Sequence, residues 1–214
     1  MNKAPFADNG LGQDGGLGQD GGLRLDGNRA RLLGKVRMTD GLLDILEGRP
    51  EAALHALAAA EAELAQNGGD WFAAGCKGAA LLFLAAGFTE ARRVAPYHRA
   101  GLALIEPALA AAQAPGLPAD PSRRALLQLW AGLALVQLNA PGDGVRARPL
   151  LAEALRAPDL LPDWAPVWAG VALALAAERC GDRALARQAF AAARAQDEAE
   201  AVRLYARFKT LPAG

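Results

Sequence analysis

The stretch Gly48-Arg-Pro-Glu-Ala-Ala53-Leu-His-Ala-Leu57-Ala-Ala-Ala60 decides the fold, because its spacing returns twice more along the chain. A glycine is followed at +5 by alanine, at +9 by a bulky apolar residue and at +12 by alanine, as in Gly142, Ala147, Leu151, Ala154 and in Gly181, Ala186, Phe190, Ala193. Each glycine lies between two helical stretches, where a residue free to take positive φ suits a helix end. Intervals of 4 and 3 put the remaining positions on one helical face. Small residues on either side of a large one let two helices approach around a single knob, so each copy reads as the second helix of a packed hairpin. Leu57, Leu151 and Phe190 are the expected buried knobs.

Working outward, the chain of 214 residues is long enough to bury roughly 70% of the surface its unfolded form exposes. It carries 23 basic and 23 acidic residues and a net charge of zero, so no global field draws it to nucleic acid or to an anionic membrane. Nineteen of the basic residues are arginine and alanine is abundant, the mark of a high-GC, bacterial coding sequence. The two cysteines, Cys76 and Cys180, stand far apart inside apolar stretches and read as small buried hydrophobes of a reducing, cytoplasmic compartment. The N-terminus turns acidic and glycine-rich before an apolar signal region forms. The longest uncharged run, the 18 residues from Ala125 to Gly142, contains Gln128, Gln137 and Asn139, which suits a buried helix better than a membrane span.

Residues 11–28 are a hexapeptide tandem built on Leu-Gly-Gln-Asp-Gly-Gly, read as part of a flexible low-complexity arm over residues 1–27. Gly15 to Asp20 also fits the opening of a calcium-binding β-roll nonapeptide, but the period is six, there is one copy, and Gly22 stands where a large apolar residue belongs. From residue 28 to 211 the pattern is helical and reads as a single domain. A first helix is expected over Arg29–Glu47, with Thr39-Asp40-Gly41 as a point of interruption. A second runs from Pro50 to about Gln66 and stops at Asn67-Gly68-Gly69; a third, capped by Asp70, covers Trp71–Ala86 and closes at Gly87. The fourth stretch, Thr89–Gln113, contains Pro96 and Pro107 and is expected to break near Ala95 and to kink or break near Glu106. After the proline-rich loop Ala114–Asp120 come helices at Arg123–Leu138, Val145–Arg156, Trp164–Cys180 with Asp163 as its cap, and Arg183–Gln196. A terminal helix from Asp197 to about Lys209, with Val202, Tyr205 and Phe208 on its apolar side, would close the open end of a helical stack. The signature glycines are 94 and 39 residues apart, leaving room for one irregular hairpin at residues 70–113.

These residues resemble the tetratricopeptide repeat family, whose helical pair recurs about every 34 residues with small residues at motif positions 8, 20 and 27 and a bulky one at 24. With the signature glycine at position 15, Gly41 and Ala174 take position 8, while Leu135 stands there in the third copy. The resemblance spans about residues 34–198 and implies an all-α, right-handed array of about four helical hairpins, an α-solenoid, with a C-terminal capping helix. In that family first helices line a concave groove. The matching positions imply a partner-binding groove of Lys35, Met38, Leu42, Ile45, Leu129, Val136, Trp168, Val171 and Leu175, with Gly132, Asn139 and Glu178 completing the register. Trp168 is its expected anchor.

Chemistry-bearing constellations are sparse. The two histidines, His55 and His98, have no nucleophile or orienting group at an interpretable spacing, and His55 is expected to be exposed. With Cys76 and Cys180 they form no metal-ligand spacing, so neither a metal nor another cofactor is expected. The glycine-rich arm is followed by no strand, which removes a dinucleotide fingerprint, and the arginines of residues 183–207 alternate with acids as on a solvated face. The third, fifth and seventh helices have almost no charge and no polar face, so each must be covered all round or must line an apolar surface. The expected function is a non-catalytic protein–protein interaction module, an adaptor, assembly factor or chaperone, holding an apolar or amphipathic segment of another protein. A homo-oligomer that buries these helices between subunits is the alternative. An enzyme or carrier with an enclosed apolar cavity is a third reading.

Overall fold

A computed structural model describes the backbone over residues 20–65, 70–86, 91–114 and 120–210, and side chains from residue 29 in the first helix and from residue 93 in the fourth. Among the described residues the fold is entirely helical. The elements are α1 (Asp20–Leu46), α2 (Pro50–Ala65), α3 (Trp71–Ala85), α4 (Ala91–Ala111), α5 (Pro121–Leu138), α6 (Asp143–Ala154), α7 (Ala165–Arg179), α8 (Arg183–Gln196) and α9 (Glu198–Thr210), with a 3-10 turn at Pro158–Leu160. Sequence neighbours pack on one another, α1 on α2, α3 on α4, α5 on α6 and α7 on α8. Successive odd-numbered helices also touch, α1 on α3, α3 on α5 and α5 on α7.

The three signature glycines do what their spacing predicts. Gly48, Gly142 and Gly181 have φ of +74°, +88° and +78° and are the positive-φ glycines among the described residues. No atom crowds a Cβ built on any of them, so backbone conformation and not space selects glycine at these turns. Beyond each turn the knob enters the core. Ala53, Leu57, Ala60, Ala147, Leu151 and Ala154 are all fully buried. Leu57 sits on Gly41 and Leu151 on Gly132, so close that an added Cβ would lie 2.6 and 2.5 Å from the leucine Cγ. The third copy is looser. Ala193 is buried, but Ala186 and Phe190 are only partly so, because α9 alone covers that end.

Asp70 and Asp182 cap α3 and α8 as their positions suggest, accepting from the Phe72 N–H at 2.9 Å and the Leu185 N–H at 3.1 Å. Several expectations need correction. Helix α1 starts at Asp20, so a boundary between arm and domain at residue 27 falls inside a helix. Once α1 is nucleated, each added residue gains a backbone hydrogen bond, which offsets the glycines at 21, 22 and 27. The rest of the arm, the nonapeptide-like Gly15–Gln19 and the stops at Asn67-Gly68-Gly69 and Gly87 lie outside the described residues. Helix α1 also runs without a break through Thr39-Asp40-Gly41. Helix α4 is continuous through Pro96 and Pro107. Both prolines are exposed, and so is Ala103, whose carbonyl finds no N–H donor at Pro107. Trp164, not Asp163, occupies the N-cap of α7 and makes no side-chain cap bond. Cys76 is buried, whereas Cys180 stands partly exposed at the C-cap of α7.

A candidate helix-binding face

Four odd-numbered helices converge on an aromatic cluster. Phe83 of α3 meets the Trp164 ring edge-on at 5.7 Å and Trp168 at 6.3 Å; Trp164 and Trp168, one turn apart, cross at 5.6 Å. Phe208 of α9 meets the other side of Trp168 at 5.9 Å. Trp130 of α5, fully buried, stacks on Phe72 at 6.3 Å. Between Leu82, Phe83, Trp130, Leu133, Trp168 and Phe208 remains a cavity of about 10 Å³, room for one water-sized group and no ligand.

Helix α9 lies across this face as an amphipathic rod. Ala201, Leu204 and Phe208, at i, i+3 and i+7, are buried. Val202, expected on the apolar side, is 49% exposed, because the helix is rotated toward Leu204. Asp197 caps its start through the Glu200 N–H at 2.9 Å. Three polar ties hold it. Arg207 donates to the Ala86 carbonyl beyond the end of α3 at 2.5 Å, meeting a helix terminus whose carbonyls want a cation. Tyr205 donates to Glu178 of α7 at 2.5 Å, and Lys209 reaches the same carboxylate at 3.3 Å. The Tyr205 hydroxyl, followed by Lys209, holds Glu178 below its ordinary carboxylate value. Arg203 first, and then the Trp168 indole, do the same for Glu200. Trp168 is thus held by α9 through the Phe208 ring.

The nine residues predicted to line an open groove divide differently. Met38, Ile45, Leu129, Val136, Val171 and Leu175 are buried, Leu42 and Trp168 are half-buried, and Lys35 is exposed. The six buried side chains are core and present no open surface. For Leu129, Val136, Val171 and Leu175 the physical reason is enclosure: α5 packs against α3, α4, α6 and α7, and α7 against α5, α6, α8 and α9, so neither keeps a free face. Of the register's remaining positions Gly132 is buried, Asn139 half-buried and Glu178 exposed. Trp168 is an anchor, as its position suggests, but for the chain's own last helix. Phe83, Trp164 and Phe208 were not legible as its partners; the one available signal was the 3- and 4-residue spacing of Ala201, Leu204 and Phe208.

His98, which the sequence left without a nucleophile or orienting group, is fully buried in α4, and neither ring nitrogen has a hydrogen-bond partner among the described residues. Burial, and then the nearby Arg207 guanidinium, lower its pKa from 6.5 to about 4, so it is neutral near pH 7. His55 is exposed. Among the described residues no three His, Cys, Asp or Glu side chains gather as a metal site, and no helix is long and apolar enough to cross a membrane. No protein-family model, curated protein or solved structure matches this chain.

Proposed function

We propose that this chain is a non-catalytic protein–protein interaction module of the adaptor, assembly-factor or chaperone kind, whose aromatic face holds amphipathic helices. The observation that carries the reading is α9 itself, a helix with an apolar i, i+3, i+7 edge seated against Phe83 and Trp168 and tied by Arg207. A face that accepts one such helix has the chemistry to accept another. Its large aromatic anchor, half-buried between rings, is of the type that carries interface energy. The paired packing of α1 to α8 and the three positive-φ turns support a right-handed, tetratricopeptide-like array of about four hairpins with α9 as its cap. Two free thiols suit a cytoplasmic setting.

The test uses the chain's own helix as ligand. A labelled peptide of residues 197–210 is titrated into the full chain, into Phe208→Ala, which loosens α9, and into Phe208→Ala with Trp168→Ala. Saturable binding is expected for Phe208→Ala, with little for the unaltered chain, where α9 occupies the face. Adding Trp168→Ala should weaken binding by about 2 kcal/mol, roughly 30-fold. Thermal melts confirm that each variant is folded. Peptide binding that ignores Trp168 in a folded chain would remove the face from this role.

A further inference from the structure

Helix α1 carries two apolar stripes on opposite sides. Gly34, Met38, Gly41 and Ile45 are buried, with Leu64 and Leu57 of α2 seated on the two glycines. Across the helix, Leu32, Val36, Leu43 and Leu46 are 66%, 57%, 48% and 37% exposed. With Thr39 these four residues follow intervals of 4, 3, 4 and 3, the seam of a two-helix coiled coil, and no described element packs over them. Exposed apolar residues scattered singly need no explanation, but a continuous stripe at heptad spacing marks an interaction surface.

Charge says what fits this seam. Along residues 29–47, which hold the seam, the exposed basic residues Arg29, Arg31, Lys35 and Arg37 come first and the acids Asp40, Asp44 and Glu47 follow. Arg37 pairs with Glu63, and Asp44 and Glu47 pair with Arg49, but Arg29, Arg31, Lys35 and Asp40 have no ion-pair partner among the described residues. A second α1 laid alongside in the reverse direction sets Leu32 against Leu43 of the other copy. It also brings the basic stretch 29–37 of each copy beside the acidic stretch 40–47 of the other and opposes the helix dipoles favourably. Laid in the same direction, the copies would juxtapose the unpaired cations. We propose that the Leu32–Leu46 stripe is a self-association seam, through which two copies of this chain pair with α1 antiparallel to α1.

Sedimentation equilibrium of the full chain is expected to give twice the 22.2 kDa chain mass, with a midpoint below about 100 μM. Val36→Glu with Leu43→Glu should weaken the dimer at least 10-fold while the helical circular dichroism stays unchanged, since both side chains are exposed in the single chain. For direction, a tagged Leu32→Cys chain is mixed with a Leu43→Cys chain, both in a Cys180→Ala background. Disulfides should join the two variants to each other and not Leu32→Cys chains among themselves. A monomer at all concentrations, as expected if another protein or another part of this chain covers the stripe, overturns the proposal. A dimer untouched by the double substitution, or same-variant cross-links, overturns it equally.

Discussion

The α5–α6 pair and the α3–α4 pair solve one problem in two ways. Both bring helices into close contact, and both use glycine at the contact. In α5–α6 a positive-φ turn at Gly142 sets the second helix so that the Leu151 side chain fills the notch at Gly132. In α3–α4 the contact is main chain on main chain: a Cβ on Gly78 would lie 2.6 Å from the Gly101 carbonyl oxygen, and one on Gly101 lies 2.7 Å from that of Gly78. A side-chain knob is an interaction that can be deleted. A backbone crossing can only be wedged apart. That distinction explains how α4 stays continuous despite two prolines, each worth about 3 kcal/mol against a helix interior, since the crossing and the exposed position of both rings work in its favour.

The contrast is sharpened first by deleting the knob. Leu151→Ala should cost about 4 kcal/mol, the upper part of the range for a leucine in a site unable to collapse, read from urea melts. Phe190→Ala, the same signature position in the looser third copy, should cost only about 1–2 kcal/mol because that ring is half-exposed. Equal losses would show that the copies are energetically alike. Next comes the pH dependence that α4 contributes through His98. Its pKa is about 4 in the folded chain against 6.5 when unfolded. The unfolded chain therefore binds the extra proton between those values, and stability falls as pH drops from about 6.5 to 4, by ~3 kcal/mol. His98→Phe should flatten this part of the profile; an unchanged slope would mean that other groups produce it. The last test is the wedge. Gly101→Ala should destabilise by about 2 kcal/mol, the overpacking cost, net of a helix-propensity gain of about 1 kcal/mol. A neutral outcome would show that the crossing relaxes freely.

The same contrast governs what was legible in the sequence. Gly48, Gly142 and Gly181 were readable because turn, knob and flanking alanines lie within 12 residues of one another and repeat. The Gly78–Gly101 crossing was not, because its two members are 23 residues apart and belong to no period. Pro96 and Pro107 pointed to a broken helix because local preference does not reveal that both rings face water. At the candidate face, Trp168 stood out as a large aromatic at a groove position, yet its occupant was invisible. Whether α9 merely caps an end or lies across Phe83 and Trp168 depends on how tightly the helices wind, a property of many contacts together. The missing polar face of α5 and α7 announced enclosure, and enclosure by their own neighbours turned the four expected groove residues Leu129, Val136, Val171 and Leu175 into core.

The bond from Arg207 to the Ala86 carbonyl spans 121 positions of chain. A strictly linear stack frays from either end, each unit opening at the expense of only its neighbour. A clasp of this reach turns the segment from α3 to α9 into an energetic loop, so that loosening the last helix also unsettles the end of the third. Opening therefore becomes a concerted event rather than a progressive one.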